Sequence, residues 1–160
     1  MRALRGAALA AALVLAGCNT APDPEVRIGL RNPTVTLAGS TRFDAARFTG
    51  DWQTLACLGT CAAQVPVSLG PDGVISVTTA AGQTAFRQTG PGILRAVGGA
   101  DILVVMWIDE GYRTAVVGDA NGRWAAIMDR GRGAPDRLRA ATEVLDFNGW
   151  DVTRLRKVEG

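Results

Sequence analysis

The feature that most restricts the fold of this chain is a succession of short segments rich in Val, Ile, Thr and aromatic residues, each followed by a turn. Runs of this length, bounded by glycine, are typical of β-strands joined by hairpins. The last turn, Asn121-Gly122, is the strongest short-range hairpin signal. Eight segments fit the pattern, at residues 52–58, 64–69, 73–79, 83–89, 92–97, 102–108, 112–118 and 123–129.

The short turns favour one arrangement of these strands. In an up-and-down barrel each strand pairs with the next, whereas a sandwich usually needs a few long crossings. Of the 160 residues, 48% are hydrophobic and 20% are charged, which is the composition of one globular domain. We predict an all-β, eight-stranded antiparallel up-and-down barrel with shortened strands. Pro66 cannot donate to a ladder, so the second strand should be bulged, frayed or at an edge.

After the eighth segment the spacing of apolar residues changes from that of a strand to that of a helix. Pro135 suits the first position of a helix, apolar residues then recur at helical spacing, and Gly149 suits the stop. The pattern predicts one C-terminal α-helix at 135–147, packed outside the barrel. The tail at 150–155 is expected to be extended.

The first eighteen residues have the composition of an export signal. Arg2 and Arg5 precede an apolar run at 7–16, which is too short to span a bilayer because a span takes about 20 residues. The sequence LAGC at 15–18 resembles the lipobox of bacterial lipoproteins. That resemblance implies that diacylglycerol is attached to the Cys18 thiol and that the chain is cut just before it. The alternative is an ordinary secretory signal with an incidental cysteine.

The lipobox also implies a location. A lipidated cysteine holds a protein on a membrane without a transmembrane helix, since each buried CH₂ contributes roughly 0.8 kcal/mol and about two chains give stable anchoring. Asn19 follows the cysteine, which in bacterial lipoproteins favours the outer membrane. We expect a lipid-anchored protein of the cell envelope, on the outer membrane and facing the periplasm.

Charge argues against a nucleic-acid partner. Removal of residues 1–17 takes away two of the 17 basic side chains, leaving 15 against 15 acidic ones. Binding to nucleic acid rests on clustered Lys and Arg against phosphates. The arginines of this chain are scattered along it, so no such partner is expected.

Catalytic constellations are not evident. The chain has no histidine, which removes Ser-His-Asp and Cys-His nucleophiles and the commonest metal ligand. Asp109 and Glu110 are adjacent, so strand geometry would place them on opposite faces and not as an acid–base pair. Asp101 is interpreted as a solvated loop carboxylate. We expect a protein that is not an enzyme and that has no metal or cofactor.

Cys57 and Cys61 lie close together at the end of the first predicted strand. Two thiolates are too few for a structural zinc site, which takes four ligands. The compartment of an exported protein favours a disulfide. Three intervening residues allow the bridge only if the strand ends in a tight turn, which Gly59 permits. A disulfide is favoured over a redox site.

Three blocks of sequence, in order, carry a family resemblance: FDAARFTGDWQTLA (43–56), MWIDEGYRTAVVGDANGRWAAIMDR (106–130) and PDRLRAATEVLDFNGWDVTRL (135–155). Together with the lipobox they resemble the bacterial lipocalins of the outer-membrane lipoprotein type. The match is good over 42–58 and 101–156 and poor over 59–100. It divides the chain into a signal peptide (1–17), a lipidated tether (18–41) and a lipocalin-like domain (42–160).

The resemblance also assigns structural roles. It implies that an arginine at the end of the last strand lies across the tryptophan of the Gly-x-Trp motif at the closed end of the barrel. The matching residues here are Gly50, Trp52 and Arg130, and Tyr112 and Arg113 are expected to serve the same end.

Strand alternation extends these positions to a candidate ligand lining. If Arg130 and Trp52 point inward, every second residue along their strands does too. The predicted lining residues are Thr54, Ala56, Trp124, Ala126 and Met128. Because the strands are short, any cavity should be small, and a barrel filled by its own side chains is the alternative.

The resemblance implies a membrane-anchored protein that binds or stores a small hydrophobic ligand, such as a fatty acid or lysophospholipid. Two other functions remain open at this point. One is an interaction module of the envelope, such as a lipocalin-like protease inhibitor that acts through its N-terminal segment. The other is a ligandless structural lipoprotein.

Overall fold

Each strand of the barrel pairs antiparallel with the next strand in sequence, and the eighth pairs with the first. The structure is a computed structural model and describes residues 29–158. The predicted eight-stranded up-and-down barrel is therefore confirmed. Its strands are β1 (Gly50–Leu58), β2 (Gln64–Leu69), β3 (Ile75–Thr79), β4 (Gly82–Gly90), β5 (Ile93–Ala96), β6 (Ile102–Ile108), β7 (Thr114–Asp119) and β8 (Ala125–Asp129).

Short helices and one further strand complete the fold. The predicted C-terminal helix is present as α2 (Pro135–Phe147), and the backbone turns away after it at Gly149, where φ is +82°. A four-residue helix, α1 (Ala45–Phe48), was not predicted. The tail forms a 3₁₀ turn (Val152–Arg154) followed by β9 (Arg156–Lys157), which pairs with β1.

The apolar side chains form two clusters separated by the barrel wall. The inner core fills the barrel, and its members include Trp52, Phe86 and Met128. The outer core lies between the wall and α2, where Ile127 of β8 meets Leu145. Because both faces of β6 and β8 are covered, these strands are apolar in nearly every position, as the sequence of β6 indicated.

A β-bulge in β1 overturns one predicted lining residue. The register with β8 shifts between Thr54 and Ala56, so that Ala56 pairs with Ile127 and packs in the outer core. Cys57 takes the inward position instead, because an extra residue in a bulge reverses the alternation that follows it. The inward assignment of Ala56 is therefore wrong, whereas that of Thr54 is correct.

The described part of the predicted tether packs against the domain. The amide of Asn32 donates to the carbonyl of Gly149 at 2.7 Å, and that of Ser40 donates to Val105 at 2.7 Å. Leu30 and Leu37 pack against the outer core. Residues 29–41 therefore form an arm that packs against the barrel domain, and the division of the chain at residue 42 stays a prediction. The predicted signal peptide and Cys18 lie outside the described residues.

Pro66 is accommodated at the point where β2 changes partner. It lies opposite Asp51 in the ladder with β1, and the ladder between β2 and β3 begins only at Val67. The expected irregularity is thus limited to the start of a ladder. Over residues 29–158, no helix combines the length and the apolar character needed to cross a membrane.

Candidate functional site

The closed end of the barrel is built around Trp52. Its indole is fully buried, its Nε1 donates to the carbonyl of Phe48 at 2.9 Å, and the Arg130 guanidinium lies 4.1 Å from the ring centroid. Arg130 also donates to the carbonyls of Tyr112 (2.9 Å), Arg47 (3.0 Å) and Thr49 (2.7 Å). Burial lowers the pKa of Arg130, and the charge of Asp51 opposes that change.

Gly50 is required where Arg130 crosses the end of the barrel. Its φ is +109°, and a Cβ there would lie 2.7 Å from Nη1 of Arg130. The backbone conformation disfavours any side chain, and a Cβ would also displace the Arg130 guanidinium. The glycine of the Gly-x-Trp motif therefore serves the contact between Arg130 and Trp52.

Tyr112 ties α1 to the closed end. Its hydroxyl donates to the carbonyl of Arg42 and accepts from the amide of Asp44 at 2.8 Å. The Arg47 guanidinium lies 3.9 Å from the centre of the phenol ring. Tyr112 itself adopts φ +54°, in the turn between β6 and β7. Arg113 lies in the same turn with an exposed side chain, and its carbonyl accepts from the amide of Arg130.

A small apolar cavity lies inside the barrel above Trp52. Four predicted residues line it: Thr54, Trp124, Ala126 and Met128. Its free volume is about 20 Å³, little more than the roughly 10–15 Å³ that one water molecule needs. Whether these side chains contact a ligand stays a prediction. Other lining residues include Phe48, Cys61, Val65, Val77, Leu103 and Val117.

A wider mouth lies next to the inner cavity, at the other end of the barrel. The mouth has a volume of about 410 Å³. Leu103 and Trp124 line both spaces, so the two are adjacent. The rest of the mouth is formed by the loops that follow β1, β3, β5 and β7, with Phe86 on its wall.

An ion cluster occupies one side of the mouth. Arg123 donates to Asp119 through Nε (2.9 Å) and Nη2 (2.9 Å), and to Asp101 through Nη2 (2.6 Å). Burial alone would raise the pKa of Asp119, but the hydrogen bonds and charge of Arg123 outweigh it, so the pKa is lowered. The two carboxylates raise the pKa of Arg123. With two carboxylates and one guanidinium, the cluster carries one net negative charge.

The cysteine pair forms a disulfide at the lip of the cavity. Cys57 and Cys61 are bonded, with Cα atoms 6.1 Å apart. Cys57 is the inward residue after the β1 bulge, and Cys61 lines the inner cavity. Thr60, between them, lines both the cavity and the mouth. The bridge thus holds the first loop over the opening.

Several lining residues were not predicted, and some had a signal in the sequence. Leu103 belongs to the apolar β6, and Val77 follows a strict alternation with Ile75. Phe48 reaches the cavity because α1 turns it inward. The signal for α1 is Asp44, whose carboxylate accepts from the amide of Arg47 at 2.9 Å and caps the helix.

Side chains that could ligate a metal do not cluster in the part of the chain that the structure describes. No group of three or more His, Cys, Asp or Glu residues there is placed to hold a metal ion. The carboxylates of the mouth are engaged by Arg123. Asp129, at the opposite end, accepts from the hydroxyl of Thr114 at 2.6 Å and lies 3.5 Å from Arg137 of α2. These groups join structural elements together.

Comparison with solved structures identifies the fold. The cockroach major allergen Per a 4 superposes with a TM-score of 0.57 at 13% identity, over 78% of this chain and 94% of the allergen. Apocrustacyanin C1 and lobster apocrustacyanin A1 each give 0.50 at 15% identity, over 71% and 72% of this chain and 78% and 79% of theirs. These are lipocalin-family proteins, so the chain has a lipocalin fold. No protein-family model and no curated protein matches the sequence.

Proposed function

We propose that this protein is a lipid-anchored lipocalin-like protein that binds or stores a small hydrophobic ligand at the open end of its barrel. The observation that carries the proposal is the apolar cavity inside the barrel, which shares lining residues with the mouth. Binding would require no catalytic step. Affinity would come from buried apolar surface, at roughly 25 cal/mol per Å².

The cavity dimensions limit the ligand. The inner cavity accepts only the tip of an apolar chain, and the mouth, about 410 Å³ in volume, accepts the rest. A fatty acid or lysophospholipid would place its chain end against Leu103 and Met128. The polar end would lie among the threonines of the mouth, beside Arg123. Ligands with short chains should therefore bind best.

The location proposed for this function is the cell envelope. Lipidation at Cys18 would hold the domain on the outer membrane, facing the periplasm, in contact with the source of its ligand. Mass spectrometry of the protein isolated from membranes tests the anchor. A diacylglyceryl group on Cys18 is expected, and an unmodified N-terminus produced by cleavage elsewhere would contradict it.

A titration tests ligand binding. The chain from Asn19 keeps every residue of the described fold and is titrated with fatty acids of increasing length and with lysophosphatidylcholine. Tryptophan fluorescence is the readout, since Trp124 lines both cavities. Saturable binding is expected with a Kd below about 100 μM. Its absence in a protein with an intact melting transition would contradict the proposal.

A matched pair of variants locates the ligand. Ala126→Leu adds three carbons to the lining of the inner cavity, whereas Ala46→Leu adds the same atoms on the exposed side of α1. Overpacking a core costs about 1–3 kcal/mol. Ala126→Leu should weaken binding at least tenfold and Ala46→Leu should leave it unchanged. Equal binding by both variants would place the ligand outside the barrel.

The narrowness of the inner cavity favours one other candidate, a ligandless structural lipoprotein. Native mass spectrometry of protein from cells discriminates the two, because a carrier should retain a lipid. The protease-inhibitor alternative is tested by deleting residues 19–28 alone. Deletion through residue 41 would remove Leu30 and Leu37 from the outer core and so destabilise the fold.

A further inference from the structure

A surface groove lies beside the mouth, on the outside of the barrel. Its volume is about 460 Å³. Gly59 lines both the groove and the mouth, so the two share one rim. The groove is formed where the N-terminal arm meets the tail, and its lining consists of Leu30, Gly59, Thr153, Arg154, Leu155 and Arg156.

Two arginines give the groove a positive charge. Arg156 donates to the carbonyl of Gly59 at 2.7 Å, and Arg154 donates to the carbonyl of Gly29 at 3.2 Å. Both acceptors are neutral, and within residues 29–158 neither guanidinium forms an ion pair. Both side chains are exposed. The two positive charges therefore face solvent with their remaining N–H groups available.

Neighbouring residues reinforce this character. Lys157 follows Arg156 on β9 and is exposed. Asp151 is the acidic residue of this stretch, and its carboxylate accepts from Thr153 as the cap of the 3₁₀ turn. Leu30 and Leu155 pack against the outer core beneath the arginines. The groove thus combines basic side chains with an apolar floor.

Much of the rim of the mouth is uncharged, apart from the ion cluster of Arg123, Asp119 and Asp101 on one side. The loops at 59–63, 79–82 and 97–100 contain no charged residue. Val97, in the third of them, is 53% exposed. The side of the rim that carries Val97 and small uncharged residues can approach a lipid surface without desolvating an ion, whereas the ion cluster of Arg123 and Asp101 is exposed and charged.

We propose that the groove docks the protein on an anionic lipid surface, with Arg154 and Arg156 contacting lipid phosphates and the mouth facing the bilayer. Arginine donates paired hydrogen bonds to phosphate oxygens. The described chain begins at Gly29, beside the groove. Cys18 lies eleven residues earlier, a span of at most roughly 40 Å. The orientation rests on the proposed anchor, whereas the binding of the groove to anionic lipid does not.

Vesicle sedimentation tests the groove without the anchor. The chain from Asn19 is mixed with vesicles of phosphatidylcholine alone or with about one third phosphatidylglycerol. Binding is expected only to the anionic vesicles and should weaken as salt is raised. The double variant Arg154→Ser/Arg156→Ser should bind about thirtyfold more weakly.

A control variant separates the groove from net charge. Arg95→Ser/Arg139→Ser removes the same charge from exposed positions on β5 and α2, and it should keep wild-type binding. The proposal would be overturned if both double variants lost vesicle binding equally, or if the groove variant kept wild-type vesicle binding. Saturable binding of inorganic phosphate without vesicle binding would also overturn it, because it would show an ion site only.

A single added thiol reports the orientation. With Cys57 and Cys61 bonded and Cys18 absent, a cysteine at Val97→Cys can be labelled with a polarity-sensitive fluorophore. On anionic vesicles its emission should shift to the blue, while a label at Glu110→Cys at the closed end should not change. A blue shift of the label at residue 110 without one at residue 97 would overturn the proposed orientation. The groove variant should still bind fatty acid, so failure of the docking and failure of the carrier function give different results.

Discussion

The two ends of the barrel are built from different kinds of contact. At the closed end, Phe43, Phe48 and Trp52 pack ring against ring, with centroids 5.3 and 5.2 Å apart, and Arg130 closes the end with three hydrogen bonds. At the open end the loops are short, rich in Gly, Ala and Thr, and joined by one disulfide and one ion cluster. The contrast indicates that the closed end contributes more to the stability of the fold than the open end does.

Truncating one tryptophan at each end tests this contrast most strongly. Trp52→Ala removes a fully buried ring and the partner of Arg130, so it should cost about 3–5 kcal/mol in the free energy of unfolding. Trp124→Ala removes a half-buried ring at the mouth and should cost less than about 2 kcal/mol. Urea denaturation of the chain from Asn19 measures both, and equal losses would refute the division between the ends.

The disulfide links the two sides of the first loop at the open end. Cys57→Ser/Cys61→Ser should cost about 2 kcal/mol, since a bridge around so few residues removes little entropy from the unfolded chain. Because Cys61 and Thr60 line the cavity, the same variant should also weaken ligand binding. Denaturation and fatty-acid titration under oxidising conditions are the measurements. Stability lost without any change in binding would show that the loop does not shape the site.

Arg130→Lys separates charge from geometry at the closed end. Lysine keeps a cation near Trp52 but cannot donate to the carbonyls of Tyr112, Arg47 and Thr49 together. The expected cost is about 1 kcal/mol in unfolding free energy, with no change in ligand affinity. A change in affinity in this variant would mean that the two ends are coupled.

The smallest expected effect is the pH dependence of the open end. The pKa of Asp119 is lower when folded than when unfolded, so its contribution to stability is complete above the unfolded value of about 3.9 and is lost as the pH falls through the folded value. The Tm difference between the wild type and Asp119→Asn should be constant above about pH 5 and shrink in more acid solution. A difference that grew on acidification would contradict the assigned direction.

Turn chemistry made most of the fold predictable. Glycine-containing turns separated the strands, so all eight were located to within about two residues, and Pro135 marked the start of α2 exactly where the helix begins. Three starts were placed two residues too early, at Gly73, Tyr112 and Arg123. At the last two, the aromatic residues Tyr112 and Trp124 lie in the turn just before the strand. A positive φ at Tyr112 cannot be anticipated from its residue type, which rarely adopts it.

The candidate site was less predictable. Strand alternation correctly predicted that Thr54, Ala126 and Met128 point into the barrel, but it failed for Ala56. A bulge depends on the pairing of two strands that are distant in sequence, so the local sequence does not reveal it. The packing of the arm at 29–41 was missed because backbone hydrogen bonds to Gly149, β6 and the tail leave no pattern of side chains in the sequence. The volume of the cavity depends on how Phe48, Leu103 and Val117 fill the barrel, which periodicity does not encode.

The way the barrel closes has a consequence for how fast it forms. Seven of its eight ladders are hairpins between consecutive strands, and only the ladder between β1 and β8 joins the two ends of the sheet. Hairpins form within microseconds, whereas contacts distant in sequence must first overcome the entropy of closing a long loop. The Cys57–Cys61 bridge spans a single turn and does not shorten that loop. Registration of β8 against β1 is therefore the step that sets the folding time, whether the cysteines are oxidised or reduced.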